Sequence, residues 1–409
     1  MNRSYRIIPV YTGDVSGVAS ALFEMGGMVV IHDPSGCNST YNTHDETRWY
    51  DSDSLIYITG LSNTDAIMGD DEKLIREVEE AAEQLKPDFI ALTSSPIPYM
   101  NGTDFPALAK LITRDTGIPA FFAPANGMHD YVYGAGQAFL AVAKCFLEGN
   151  TADSVTGRNP VAAGGPVKSA GKCPRSEGIK SSVNILGATP LEFAAEGSVE
   201  SLREILENDG WKVQSCWAMG ESPEQLRTAL ESTVNLVVSA TGFPMARYLE
   251  QSFGIPWVAG CPVGGFAKEL LKCLRDTEAD GQNRIPYLNR GACSCGGRVT
   301  LVGEPVTMGS LAAAITEKTG MTCSVLCPVE ADPVLTGTLD IRTYGEEEAE
   351  AALKRAKRIV ADPLYRPICP ADAVFCSLPH QAFSGRCFRR DMVNLFQEEA
   401  FARILQQLH

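Results

Sequence analysis

Short apolar runs alternate with amphipathic stretches along the whole chain, and this rhythm limits the possible fold more than any other feature. "SLIYITG" (54–60), "DFIALTS" (88–94) and "IPAFFAP" (118–124) read as strands. Between them, "DDEKLIREVEEAAEQL" (70–85) carries Leu74, Val78, Ala81 and Leu85 at helical spacing behind an Asp cap. "FPALAKLITRDTG" (105–117) is a helix that stops at its glycine. Apolar strands separated by helices predict right-handed βαβ units and parallel sheets.

The rhythm breaks twice. Residues 149–182 are rich in Gly, Ser, Pro and Lys and read as a linker. Strands resume at 183–187, 211–217, 234–240 and 255–260, with a helix over 198–208. After a second break at 276–297 come strands at 298–305, 321–328 and 373–378, with helices over 308–319 and 346–361. The expected fold class is therefore α/β, with three Rossmann-like units and parallel sheets. Their expected bounds are 1–150, 183–280 and 281–409, with a linker over 151–182 and a C-terminal return in the last unit. A chain of 409 residues is long enough to split into such units.

Composition excludes several functions. A formal net charge of −15 repels phosphate backbones, so no nucleic-acid partner is expected. No apolar run approaches the ~18 to 20 residues that span a bilayer, so no membrane association is expected. The opening "MNRSYRIIPVYTG" lacks a secretory apolar region, which makes the cytoplasm the expected location. Neither a G-x-G-x-x-G turn after a strand nor a G-x-x-x-x-G-K-[ST] loop occurs, so the chain is expected to hold neither NAD nor directly bound ATP.

Parallel sheets bind ligands at the carboxyl ends of their strands. Just past "MVVI" (28–31) lies "HDPSGCNSTYNTH" (32–44), which places His32 and Cys37 around a Pro-Gly bend. Other strand ends carry Ser94 and Ser95, Thr241 and Gly242, Cys261, Cys327 and Glu330, and His380. The thirteen cysteines form no C-x2-C zinc pair and no ferredoxin run, and their odd number suits no small disulfide framework. Each is either a thiolate for a shared metal site or a small buried hydrophobe. Cys293 and Cys295 share a glycine-rich loop, Cys323 and Cys327 share one strand face, and Cys145, Cys216 and Cys376 read as structural. His32 suits either a turn-stabilising hydrogen bond or ligation. His380 suits either C-terminal packing or a cavity wall.

These residues resemble a known family. "HDPSGC" (32–37) is similar to the "HGPxGC" turn of nitrogenase component 1 and its relatives, which include cofactor scaffold proteins and dark-operative protochlorophyllide reductases. Residues 59–80, "KPDFIALTSSPIPYMNGTDF" (86–105), "GIPAFFAPANG" (117–127), "LEQSFGIPW" (249–257) and "LPHQAFSG" (378–385) also have counterparts there. The resemblance implies three Rossmann-like domains, a homodimer or a paired paralogous subunit, and electrons delivered by an ATP-hydrolysing Fe protein. It assigns Cys37 as ligand of an iron–sulfur cluster, [4Fe–4S] or larger. The family's upstream cluster cysteine falls near Tyr5 to Tyr11, where none stands, and its next one falls at Ser95. Ser95, His32 and Asp33 are the candidates to complete the ligand set. The family's cofactor cysteine falls near Val238, with Cys261 in the next loop as a candidate substitute and metal ligand. Cys261, Cys327 and His380 are expected to line the cavity. Dinitrogen is accordingly not the expected substrate. Three functions remain open: a nitrogenase-like reductase of another substrate, a scaffold that assembles or transfers a metallocluster, and a cluster-free protein that keeps the fold to bind a tetrapyrrole or metal chelate.

Overall fold

The computed structural model describes residues 5–34, 55–147, 181–219, 221–291 and 297–408. Cys37, Cys293, Cys295 and most of the linker over 151–182 lie outside these residues. Among the described residues thirteen strands form three sheets, and every pair of these strands is parallel. The first sheet contains β1 (Met28–His32), β2 (Leu55–Ile58), β3 (Ile90–Ser94) and β4 (Ala120–Phe122) in the order β2-β1-β3-β4. The second contains β5 (Ser182–Ala188), β6 (Lys212–Ala218), β7 (Val234–Val237) and β8 (Trp257–Ala259) in the order β6-β5-β7-β8. The third contains β9 (Arg298–Val302), β10 (Thr322–Cys327), β11 (Ile341–Arg342), β12 (Arg358–Ala361) and β13 (Val374–Ser377) in the order β11-β10-β9-β12-β13.

Alternation along β1 explains why its run is apolar throughout. Val29 and Ile31 enter the core shared by all three sheets, while Met28 and Val30 face a second cluster with Leu74, Val78, Phe105 and Leu108. Both faces are covered, as parallel sheets require. The helices start where the sequence places caps: Asp70 accepts from the Lys73 N–H and Asp104 from the Ala107 N–H. Gly117 ends the second of these helices in the left-handed region, at φ 72°.

Two assignments in the third unit change. The stretch 346–361 is not one helix: Glu346–Leu353 is helical and Arg358–Ala361 is β12. The apolar "RIVA" hydrogen-bonds between β9 and β13, so sheet pairing overrides a helix-compatible pattern. β11, two residues long, exists through its pairing with β10 and has no local signal.

One close helix contact fixes the position of Tyr131. Helix Asp14–Leu22 crosses helix Tyr131–Leu147 at paired glycines. A Cβ on Gly134 would stand 1.9 Å from the Asp14 carbonyl oxygen, and one on Gly17 would stand 2.4 Å from that of Tyr131. The buried Asp14 carboxylate accepts backbone N–H groups from Asn126 and Gly127, tying this pair to the loop after β4. Tyr131 is thereby fixed at the inner end of its helix.

Candidate functional site

Two groups of polar side chains gather at strand ends. The first lies at the ends of β1 and β3. His32 Nδ1 is 2.8 Å from Thr59 Oγ1, and the same oxygen accepts the Asp33 N–H. The Ser95 N–H donates to the His32 carbonyl, binding the two strand ends together. Burial lowers the His32 pKa, which keeps the ring neutral at ordinary pH. Asp33 and Ser95 are each about 1% exposed. Among the described residues neither Asp33 carboxylate oxygen has a hydrogen-bond partner, and neither does Ser95 Oγ or Thr93 Oγ1. Unsatisfied buried oxygens of this density call for a structural reason.

The second group joins all three units. Glu192 follows β5, Tyr131 opens helix Tyr131–Leu147, and His380 follows β13. Tyr131 Oη donates to Glu192 Oε1 at 2.5 Å, and His380 Nε2 lies 3.1 Å from Glu192 Oε2. The Ala382 N–H donates to His380 Nδ1, so that nitrogen is the acceptor and the neutral ring carries its proton on Nε2, toward Glu192. Burial alone disfavours a charged His380, but the facing Glu192 outweighs it and raises the imidazole pKa. Burial, with Glu192 beyond it, pushes the Tyr131 hydroxyl well above its ordinary value, so it remains a donor.

Glu304 stands behind this triad as the N-cap of helix Pro305–Thr319. It accepts three backbone N–H groups, from Ala240 at 2.6 Å, Val306 at 2.9 Å and Thr307 at 2.8 Å. Burial and the Glu192 carboxylate nevertheless raise its pKa to about 8. Glu304 accordingly holds its proton more tightly than an ordinary carboxyl group.

A cleft of about 40 Å³ opens beside Glu192 and His380, walled by Phe193, Ser198, Thr307 and Leu378. This is room for one or two waters. Phe193, Ala195 and Ser198 also border a wider cavity of about 790 Å³, whose rim carries Arg389 and Arg390.

The sequence-derived candidates are distributed unevenly. His380 lines the cleft. Cys261 does not: it has no exposed surface, and its Sγ donates to the Val238 carbonyl at 2.9 Å, at the position where the resemblance placed a cofactor cysteine. Burial, with Glu304 next, holds this thiol well above its usual pKa. Cys327 is buried with Sγ 3.6 Å from the Val329 carbonyl, and burial pushes its pKa up to about 12. His32 and Ser95 belong to the first group. Among the described residues no three His, Cys, Asp or Glu side chains form a metal-binding group. Glu192, Tyr131 and Glu304 escaped the sequence reading. Glu192 and Glu304 follow the ends of β5 and β9, so the strand-end rule, applied to those two strands as well, points to both.

The family model described as nitrogenase component 1 type oxidoreductase matches residues 14–277. A light-independent protochlorophyllide reductase subunit of Synechococcus sp. (strain RCC307) is 24% identical over 236 residues, 55% of this chain and 43% of that protein. The corresponding subunit of Halorhodospira halophila (strain DSM 244 / SL1) is 25% identical over 245 residues, 57% of this chain and 40% of that protein. The chain thus covers less than half the length of these curated relatives. Among solved structures, nitrogenase Cp1 at pH 5 superimposes with a TM-score of 0.63 at 15% identity, covering 99% of this chain and 90% of that one. The same protein at pH 6.5 gives 0.64 at 14% identity. The three-sheet architecture is shared with these structures.

Proposed function

Because the chain belongs to the nitrogenase component 1 type oxidoreductases, we propose that it is the substrate-reducing component of a two-protein system. It accepts electrons from an ATP-hydrolysing Fe protein through an iron–sulfur cluster at the 32–37 turn and passes them to a substrate held between its three units. The observation that carries this reading is that the buried side-chain oxygens of Asp33 and Ser95, which sit where the sequence turns toward Cys37, have no hydrogen-bond partner among the described residues. A carboxylate buried without a partner is costly, and a cationic iron centre is a partner that removes the cost. Cys37, Asp33 and Ser95 fit such a group: a thiolate for iron, with oxygen ligands for the positions the family fills with cysteine. A bound cluster there supplies one-electron storage at low potential.

One thiolate per chain does not complete a [4Fe–4S] cluster, so the proposed assembly is a homodimer with its axis near this turn. Ile67, Met68, Ile97, Tyr99 and Met100 support this placement: they are exposed on the two short helices that follow the ends of β2 and β3. Exposed apolar groups clustered in this way mark contact surfaces. With Val238 at the position of the cofactor cysteine, dinitrogen is not the proposed substrate. Among the described residues no helix is long and apolar enough to cross a membrane.

The test is anaerobic purification with iron and sulfide analysis and electron paramagnetic resonance. The wild type is expected to carry iron and sulfide, and Cys37→Ala is expected to lose nearly all of it with circular dichroism unchanged. Equal iron in the Cys37→Ala protein would overturn the reading.

A further inference from the structure

We propose that residues 329–332 form a pH-controlled clasp, tight in mild acid and loose in mild alkali, that sets how closely the third unit closes on the other two. Its consequence for access rests on the reading that a substrate is held between the units, whereas the clasp itself does not.

The loop follows β10 and alternates in direction. Val329 and Ala331 are buried in the shared core. Glu330 and Asp332 reach the other two units instead. Glu330 Oε2 lies 2.8 Å from His129 Nδ1 of the first unit, and the Glu330 N–H donates to Asp130 Oδ2 at 2.6 Å. Asp332 pairs at 3.1 Å with Arg247, on helix Phe243–Phe253 of the second unit. Ties to both other units are thus made within three consecutive positions. The two ion pairs are partly exposed, and such pairs are individually weak, so a loop held in this way opens at small cost. Asp130 immediately precedes Tyr131, which places the clasp one residue from the Tyr131–Glu192 hydrogen bond.

Both ties to the first unit respond to protons in the same sense. The His129–Glu330 pair is ionic only while the imidazole is protonated. Asp130 accepts backbone N–H groups from Glu330, Tyr133 and Val132, which favour its carboxylate. Burial, with the Glu330 carboxylate as a further cause, outweighs them and raises its pKa to about 6. A group whose pKa is raised in the closed form favours closure below that value and ceases to favour it as pH climbs through it. Rising pH therefore discharges His129 and charges Asp130 beside Glu330, and each change loosens the clasp.

The other charged or titratable neighbours do not reverse this sign. Tyr133 stacks on His129 with ring centroids 4.0 Å apart, and burial raises its pKa, so it stays neutral. Burial likewise keeps the Tyr131 hydroxyl and the Cys327 thiol neutral. Asp14 gives its backbone N–H to the His129 carbonyl, while its carboxylate is held by the Asn126 and Gly127 N–H groups. Arg342 donates to the Ala331 carbonyl and Arg247 to Asp332, both as fixed positive charges.

Hydrogen exchange of the full chain, followed by mass spectrometry, tests this when rates are divided by those of unstructured peptide at the same pH. Peptides covering 126–133 and 328–333 are expected to lose about tenfold in protection between about pH 5.5 and 8, the combined effect of one exposed ion pair and one raised carboxyl group. In the double variant His129→Gln, Asp130→Asn this loss is expected to disappear. The pH response of helix Pro305–Thr319 is expected to be the same in both proteins, which separates the clasp from the fold as a whole. Protection in the wild-type clasp that does not fall with pH, or that falls equally in the double variant, overturns the proposal. If the double variant does not fold, Glu330→Gln decides, because it keeps the backbone N–H and removes the charge that both residues face: a smaller pH response supports the clasp and an unchanged one overturns it. Cys37→Ala leaves this response in place, so failure of the cluster reading and failure of this one are separately visible.

Discussion

Tyr131 and Glu192 come from different units, 61 positions apart, and meet through a hydrogen bond of 2.5 Å that neither unit makes alone. His380 of the third unit closes on the same carboxylate at 3.1 Å. One buried carboxyl group is therefore the joint of the molecule as well as the polar wall of its cleft.

Tyr131→Phe removes one donor from a buried carboxyl while keeping the ring. It is expected to cost about 1–2 kcal/mol, the usual consequence of leaving a buried partner short of a hydrogen bond. Urea denaturation followed by circular dichroism measures it. An unchanged midpoint would mean that the contact carries no net stability.

Stability is expected to fall as pH rises from about 6.5 through about 8. The folded-state pKa of Glu304 is raised to about 8 from 4.5, so its contribution is fully present below 4.5 and disappears as pH climbs through the folded value. His380, also raised, adds a loss of the same sign above its ordinary 6.5. His32 is lowered, so it weakens the fold only as pH falls below 6.5 and does not oppose the trend in this window. Melting temperatures across the range provide the check, and Glu304→Gln is expected to flatten the slope. A slope as steep in Glu304→Gln as in the wild type would assign the pH dependence to other groups.

Cys261→Ala is expected to lower stability by about 1–2 kcal/mol, from a small cavity and a lost donor, and to leave iron content at the wild-type level. The physical reason is that its Sγ is buried against the Val238 carbonyl and faces no cleft. Iron lost with unchanged melting would show instead that this thiol binds metal.

Charging the exposed apolar surface after β3 tests the proposed homodimer. Ile97→Asp combined with Met100→Asp places two charges on side chains that are 43% and 74% exposed in the single chain, so the fold is expected to survive. Solution scattering should then report a monomer where the wild type is a dimer. A dimer that persists would move the two-fold contact elsewhere.

The architecture was largely legible because its signals are local. Short apolar runs bounded by turn residues, such as Met28–Ile31, suit strands covered on both faces, and caps such as Asp70 and Asp104 mark helix starts within three residues. Legibility failed where the deciding partner is remote. "RIVA" at 358–361 is compatible with the helix that precedes it, and hydrogen bonds from β9 and β13 make it a strand.

The sequence by itself thus determined the α/β class and its three parallel sheets. Tertiary structure alone decided that Tyr131, Glu192, Glu304 and His380 form one site and that Cys261 faces a backbone carbonyl rather than a cleft. Periodicity records which face of a strand or helix is buried, whereas the neighbour across a unit boundary depends on how three separately formed sheets dock. A carboxylate that looks unremarkable in its own turn acquires its partners, and its altered proton affinity, only when that docking removes water.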